Sequence, residues 1–321
     1  MTVNIAFVGT GGIANHHRRT LAEIDCAEMV GFFDLDIARA EATAAAFGGN
    51  AYPSLEALCD GSSPDAVYVC LPPFAHGEIE TELARRKLPM FVEKPVAVDM
   101  GSGRRVLDAV QDSGVITAVG YHWRYMDNTE RAQELVGNDP VGFALGGWMG
   151  GMPGVAWWRV RAQGGGQIVE QTTHIVDLAR HLMGEVVQVH ATARTGLMAE
   201  VENYDIHDAT VTNFVFASGA IASLTSTCLL SAGGQVGLDL YQRGRVVRLR
   251  AHELIVEEST GTQTHLLGNN PTRAEDEAFV HAVATGDSSA IRSDYADALR
   301  TLEVTLAATE SADEGRVIEL A

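Results

Sequence analysis

A lysine between a carboxylate and a proline closes a short apolar run, where Leu88-Pro89-Met90-Phe91-Val92 leads into Glu93-Lys94-Pro95. At the C-terminal end of a buried strand, an ammonium group is held where ligands bind in an open α/β sheet, and the proline stiffens the turn behind it. In isolation the tripeptide also reads as a solvated ion pair, because exposed Glu–Lys pairs are common. A second constellation runs from Gly164-Gly165-Gly166 through Gln167-Ile168-Val169-Glu170 to His174 and Asp177. Glu170 and His174 are four apart, so one helix would present them on one face, with Asp177 and His181 extending the stripe. A carboxylate beside an imidazole can orient a hydroxyl and accept its proton near neutral pH, as alcohol oxidation by hydride transfer requires. Two other readings fit the same residues: a solvated polar stripe, or a metal site using Glu170, His174 and His181. No further ligand cluster completes the latter, and no metal is expected.

The N-terminal segment supplies what a hydride transfer needs. Gly9-Thr10-Gly11-Gly12-Ile13-Ala14 follows an apolar run and opens a helical pattern. Gly9 permits a tight turn, Gly11 and Gly12 let backbone amides approach a pyrophosphate, and Ala14 lets helix pack on strand, with Ile13 beside them in the first turn. Asp34 stands 25 residues beyond Gly9 (34 minus 9), close to the spacing of the acid that accepts from the adenosine ribose. Its charge would repel a 2′-phosphate, so NAD is expected in preference to NADP. Arg39 is expected on the exposed face of the following helix rather than at a phosphate. Leu71-Pro72-Pro73-Phe74-Ala75-His76 follows another apolar run, so Leu71 and Pro72 are expected to edge the nicotinamide. His76 either contacts the cofactor or serves as a satisfied structural histidine.

These residues need elements to hold them. Strands are expected at Val3 to Val8, Ala27 to Phe33, Ala66 to Cys70, Met90 to Val92 and Val115 to Gly120. Helices are expected at Gly12 to Ile24, Ile37 to Phe47, Phe74 to Lys87 and Asp99 to Ser113. Such βα alternation implies a doubly wound parallel sheet, the Rossmann class, with helices on both faces. Past Gly120 the texture changes to longer strand-like segments, Gly142 to Trp148, Val186 to Ala193 and Thr210 to Phe216, with a Ser218-Gly219 hairpin. A helix from Glu170 to Met183 and two more, near Arg273 to Thr285 and Tyr295 to Asp313, complete an α+β region with a largely antiparallel or mixed sheet. The expected domains are therefore 1–120, binding cofactor, and 121–321, of α+β build.

With 321 residues, 46% of them apolar, the chain can bury a core in each of two domains. A net charge of −19 disfavours nucleic acid and anionic membrane surfaces as partners. Met1-Thr2-Val3-Asn4-Ile5 runs directly into a strand without a secretory pattern, so a cytoplasmic location is expected. Cys26, Cys59, Cys70 and Cys228 lack the close pairing of zinc sites or redox dithiols and read as reduced thiols.

Taken together, Gly9 to His16, Asp34, Leu71 to His76, Glu93 to Pro95, Tyr121-His122-Trp123-Arg124 and Gly164 to Asp177 make the chain resemble the glucose-fructose oxidoreductase and inositol dehydrogenase family, Gfo/Idh/MocA. The resemblance covers essentially the whole length. It implies a Rossmann domain followed by a domain with a large open, mostly antiparallel sheet, one face carrying a sugar or polyol site and the other the contact of a homodimer or homotetramer. It also implies that Lys94 is the catalytic lysine, touching both substrate oxygen and nicotinamide, with Glu93 beside it. His174 would be the general acid/base, and Glu170 would hold the substrate hydroxyl. Tyr121, His122, Arg124 and Trp158, with Trp157 and Arg159, are candidates for the sugar-facing wall, core packing being the other reading of either tryptophan. Glu170 stands where an aspartate is more common, and Thr172 where a glycine is, which bears on substrate identity. The activity expected is NAD-dependent oxidation of a secondary hydroxyl of a sugar, polyol or sugar derivative. The alternatives are an NAD-retaining isomerase, epimerase or glycosidase of the same family, or a non-catalytic NAD-binding regulator.

Overall fold

The computed structural model describes residues 2–320 and divides the chain into two compact units, residues 1–122 with 270–299, and residues 123–269 with 300–321. In the first unit the elements run β1 (Val3–Val8), α1 (Gly12–Leu21), β2 (Ala27–Phe33), α2 (Ile37–Phe47), β3 (Asn50–Tyr52), α3 (Leu55–Ser62), β4 (Ala66–Val69), α4 (Glu78–Arg85), β5 (Met90–Val92), α5 (Met100–Ser113) and β6 (Thr117–Val119). The strands form one six-stranded sheet in the order β3-β2-β1-β4-β5-β6, with every pairing parallel. This is the doubly wound order given for the Rossmann fold, in which ligands bind beyond the carboxyl ends of the strands where the order reverses, here between β1 and β4. Local chemistry sets the helix ends. Asp99 accepts from the Ser102 amide at 2.8 Å to start α5, and Gly114 in the left-handed region ends it.

Two departures from expectation lie here. The short β3 and α3 were not anticipated, and the helix expected from Phe74 to Lys87 is a 3₁₀ turn, Pro73–Ala75, followed by α4. The break falls at Gly77, whose φ of +127° no continuous helix accepts.

The second unit contains α6 (Asp127–Asn138), β7 (Phe143–Met149), the short turns α7 (Arg161–Gly164) and α8 (Gln167–Glu170), α9 (Thr173–Met183), β8 (Val186–Arg194), β9 (Ala209–Phe216), β10 (Ile221–Thr227), β11 (Gln235–Gln242), β12 (Arg245–Arg250), β13 (Glu253–Glu258) and β14 (Gly261–Leu266). Then follow α10 (Pro271–Thr285), α11 (Tyr295–Glu314) and β15 (Ile318–Glu319). Nine strands form one sheet, β14-β13-β12-β11-β7-β10-β9-β8-β15, in which only the β7–β10 pairing is parallel. Alternation along β9 and β10 buries Thr210, Thr212, Phe214, Ala222 and Leu224 on one face and leaves Val211 and Ile221 exposed on the other, the pattern of an antiparallel sheet covered on one side.

A single boundary near residue 121 does not describe this division, because residues 270–299 group with the first unit. The reason is packing. Phe279 of α10 is fully buried and meets Tyr68 and Phe91 edge-on, with ring centroids at 5.6 and 5.8 Å, completing the stack Phe7–Tyr68–Phe91. The Tyr295 amide donates to Thr117 Oγ1 at 3.1 Å, and Val119 N–H to the Ser293 carbonyl at 3.0 Å, so this late segment also lines β6.

Candidate active site

At the C-terminal edge of the parallel sheet, β1 ends in Gly9, whose φ is +85° and where a Cβ would lie 2.3 Å from the Cys70 carbonyl oxygen. Only glycine allows the chain to turn this close to the end of β4. At Gly11 and Gly12, by contrast, an added Cβ meets nothing within 4 Å, so the backbone at the start of α1 faces open space, with Ile13 44% exposed beside it. Those open amides at the N-terminus of a ten-residue helix fit a pyrophosphate.

Asp34, just beyond β2, is held firmly. Its Oδ2 accepts from both the amide and the hydroxyl of Thr10, each at 2.9 Å, and its Oδ1 accepts from the Asp36 amide at 2.9 Å. Burial opposes the charge, but these hydrogen bonds outweigh it and hold the carboxyl below its ordinary range. Asp34 therefore ties the glycine loop to β2 while remaining an ionised acceptor. Arg39 lies nearer than expected, with Nη1 3.5 Å from Asp34 Oδ2, on a side chain 53% exposed.

Leu71 and Pro72 are half-buried after β4. His76 is inside the loop rather than at its surface: its Nδ1 pairs with Glu80, and its Nε2 lies 3.2 Å from the Leu71 carbonyl. Both ring nitrogens are occupied in fixing the loop, which corrects the cofactor-contacting option. Glu93 is likewise behind the rim. It is buried, its Oε1 is 2.9 Å from His17 Nε2, and its Oε2 accepts from the Lys94 amide at 3.0 Å. Lys94, half-buried and joined to Pro95 by a cis peptide, thus leaves β5 with its backbone held by its own neighbour. His122 is half-buried beyond β6; burial, set against Glu93 and reinforced by Lys94, His17 and His16, lowers its pKa to about 4, so it is neutral at pH 7.

In the second unit Glu170 and His174 are not on one continuous helix, which corrects the shared-face expectation. Glu170 ends α8, His174 lies in the first turn of α9, and between them the Thr172 amide reaches back five residues to the Gln167 carbonyl at 2.9 Å. This wide turn shifts the angular spacing that a four-residue separation assumes. Its side chains are fixed from below. Gln167 Nε2 donates to the carbonyls of Thr227 at 2.9 Å and Trp148 at 3.2 Å, and the Thr172 and Ser226 hydroxyls meet at 2.7 Å. Gly165, with φ +76° and Val169 2.7 Å from where a Cβ would sit, makes the preceding turn possible.

Glu170 Oε2 accepts from the Trp158 indole N–H at 2.7 Å. Trp158 itself is completely buried with Ile206 and Cys228, so it cannot offer a face to a sugar; it orients Glu170 instead. The ring of His174 stacks on Trp148 with centroids 5.9 Å apart. Arg124 is buried in a bidentate pair with Asp177, at 2.8 and 2.6 Å, to which Thr301 also donates at 2.9 Å. A guanidinium so engaged braces α9. Tyr121 is buried as well. Among the described residues, no group of three His, Cys, Asp or Glu side chains is placed to hold a metal ion.

The sequence reading did not single out His17, Asp276 or Thr10. His17 Nδ1 is 2.8 Å from Asp276 Oδ1, bridging that carboxylate to Glu93, and Tyr68 O–H donates to the same oxygen at 3.1 Å. The only sequence signal is the His16-His17 pair after the glycine loop, since Asp276 is 259 residues away.

Residues 3–121 match the family model described as an oxidoreductase family with an NAD-binding Rossmann fold, and residues 144–247 match the GFO/IDH/MocA C-terminal domain. The chain is 26% identical over 336 residues to an inositol 2-dehydrogenase from Rhizobium meliloti, with all of both chains covered. It is 27% identical to D-xylose 1-dehydrogenase (NADP(+)) 2 from Haloferax volcanii, with 98% of each covered. A levoglucosan dehydrogenase solved with NADH superposes over the full length of both chains with a TM-score of 0.91 at 19% identity, a likeness of fold. With both of its domains matched by models of one family, the chain belongs to the Gfo/Idh/MocA oxidoreductases.

Proposed function

We propose that this protein, an NAD(P)-dependent dehydrogenase acting on CH–OH groups, oxidises a secondary hydroxyl of a sugar, polyol or sugar derivative and uses NAD in preference to NADP. The observation that carries this reading is the sheet edge of the first unit, where Lys94 leaves β5 on the same rim as the Gly9 turn, the open Gly11 and Gly12 backbone and the ionised Asp34. The bound nicotinamide would accept hydride from the carbinol carbon. Lys94 would stabilise negative charge developing on the substrate oxygen, His174 would take the hydroxyl proton, and Glu170, aimed by Trp158, would hold the hydroxyl. Gly9, Gly11, Gly12, Ile13, Leu71 and Pro72 would seat the cofactor.

NAD preference rests on the Asp34 carboxylate, which an adenosine 2′-phosphate would meet at short range. The exposed Arg39 guanidinium close by is the feature that favours NADP, as in the name of the Haloferax relative. The uncovered face of the second sheet, with Leu145, Val211 and Ile221 exposed, supports a contact between copies of the chain. The function is tested by mixing the protein with NAD or NADP and a panel of sugars, polyols and sugar acids and following cofactor reduction. A regulator gives none, and an isomerase or epimerase converts its sugar with no net reduction.

A further inference from the structure

We propose that His17 is a positioning residue for Lys94: a buried imidazolium clamped between Asp276 and Glu93 that fixes the Glu93 carboxylate, and through it the backbone and electrostatic surroundings of the lysine. The inference rests on the reading of Lys94 as the working lysine. Each ring nitrogen of His17 faces a carboxylate oxygen, Asp276 Oδ1 at 2.8 Å and Glu93 Oε1 at 2.9 Å, an arrangement that favours a proton on each ring nitrogen. The ring is fully buried against Phe91, edge-on with centroids 4.8 Å apart, and cannot swing to another partner. Glu93 passes the constraint on, because its second oxygen accepts from the Lys94 amide at 3.0 Å. Its carboxylate lies so close to Gly120 that a Cβ there would sit 2.7 Å from Oε1, so only glycine leaves it room.

The charges around this centre explain why an imidazolium belongs there. Tyr68 and Cys70 face it from β4, Glu93 and Lys94 from the end of β5, Glu275 and Asp276 from α10, His16 from α1, and His122 from beyond β6. Burial alone would strip the proton from His17, but Asp276 and Glu93 together raise its pKa well above the ordinary histidine value. The same pairing holds Glu93 below its usual range despite burial, while burial pushes Glu275 well up towards its neutral form. His17 thereby neutralises the carboxylate next to Lys94. Without it, an uncompensated negative charge would stand beside the lysine.

The chain contains only two lysines, Lys87 and Lys94, so reductive methylation with ¹³C-formaldehyde gives two lysine signals besides the amino terminus, assigned with Lys87→Arg. In His17→Gln, folded as judged by circular dichroism, the Lys94 signal should move at fixed pH while the amino-terminal signal stays in place. The kcat on a responsive polyol should fall by about 10²-fold with little change in the KM for NAD. Asp276→Asn, nearly isosteric, should loosen the clamp and also displace the Lys94 signal, and Gly120→Ala should shift it by displacing Glu93; these two keep the test open if His17→Gln does not fold. A Lys94 signal unmoved in folded variants would overturn the proposal. Absence of turnover in the unmodified protein would instead remove the dehydrogenase reading, and the Lys94 signal in the variants would still decide whether the clamp acts on this lysine.

Discussion

Asp34 is engaged from two sides, by Thr10 and by the Asp36 amide, so its charge is fixed in place whether or not a ribose is present. Replacing it with serine removes the repulsion of a 2′-phosphate while keeping a hydroxyl. Asp34→Ser should therefore narrow the ratio of kcat/KM for NAD over NADP, and equal use of both cofactors by the unmodified protein would refute the assignment. Lys94→Ala should stay folded and bind NAD, while kcat drops by about 10²- to 10³-fold, the usual cost of losing a positioned proton-transfer or charge-stabilising group; near-normal kcat would refute the role. At this scale the sequence made Gly9, Asp34 and Lys94 legible, because each is marked by the strand it follows. It did not reveal that Trp158 and Arg124 serve Glu170 and Asp177, nor that Glu93 serves His17. Those pairings depend on burial and on partners far along the chain, which periodicity does not encode.

Among the elements, α10 was legible as a helix but not in its allegiance. Asn270 accepts from the Arg273 amide at 3.2 Å, Pro271 opens the first turn and Gly286 ends it, all signals that can be read locally. That Phe279 completes the aromatic stack of a sheet formed almost two hundred residues earlier cannot be read that way. Phe279→Ala should destabilise the first unit by about 3–5 kcal/mol, measurable by urea unfolding. The three-residue β3 was missed because Asn50-Ala51-Tyr52 is too short to show alternation, and α3 because it contains Asp60-Gly61. Strands β11 to β13 are hard to read locally because charge interrupts the apolar pattern, and β14 because it is polar throughout but for Leu266: Asp239 of β11 is buried, paired with Arg250 at 2.6 Å and Arg248.

The His17 clamp also gives the first unit a pH dependence. Because the folded pKa of His17 lies well above the unfolded value of about 6.5, folding binds a proton there. The stabilisation is complete below that pH and is lost as pH rises through the folded pKa. The urea midpoint should thus decline on the alkaline side of neutrality, and His17→Gln should flatten that decline. A flat profile in the unmodified protein would contradict an imidazolium at this position.

For the molecule as a whole, the two matched family domains make the chain an oxidoreductase, and the exposed face of the second sheet is where we propose that copies of it meet. No helix among the described residues is long and apolar enough to cross a membrane. Light scattering should find dimers or tetramers, and Leu145→Asp with Ile221→Asp should shift them towards monomer without unfolding the chain. The most direct test of the central claim is the appearance of reduced nicotinamide when NAD meets the panel of sugars, polyols and sugar acids, run in parallel with Lys94→Ala. The account predicts reduction with at least one member of the panel, slowed when the carbinol hydrogen is replaced by deuterium and lowered about 10²- to 10³-fold in the variant. No reduction of either NAD or NADP by any of them, from protein shown to bind the cofactor, would contradict it.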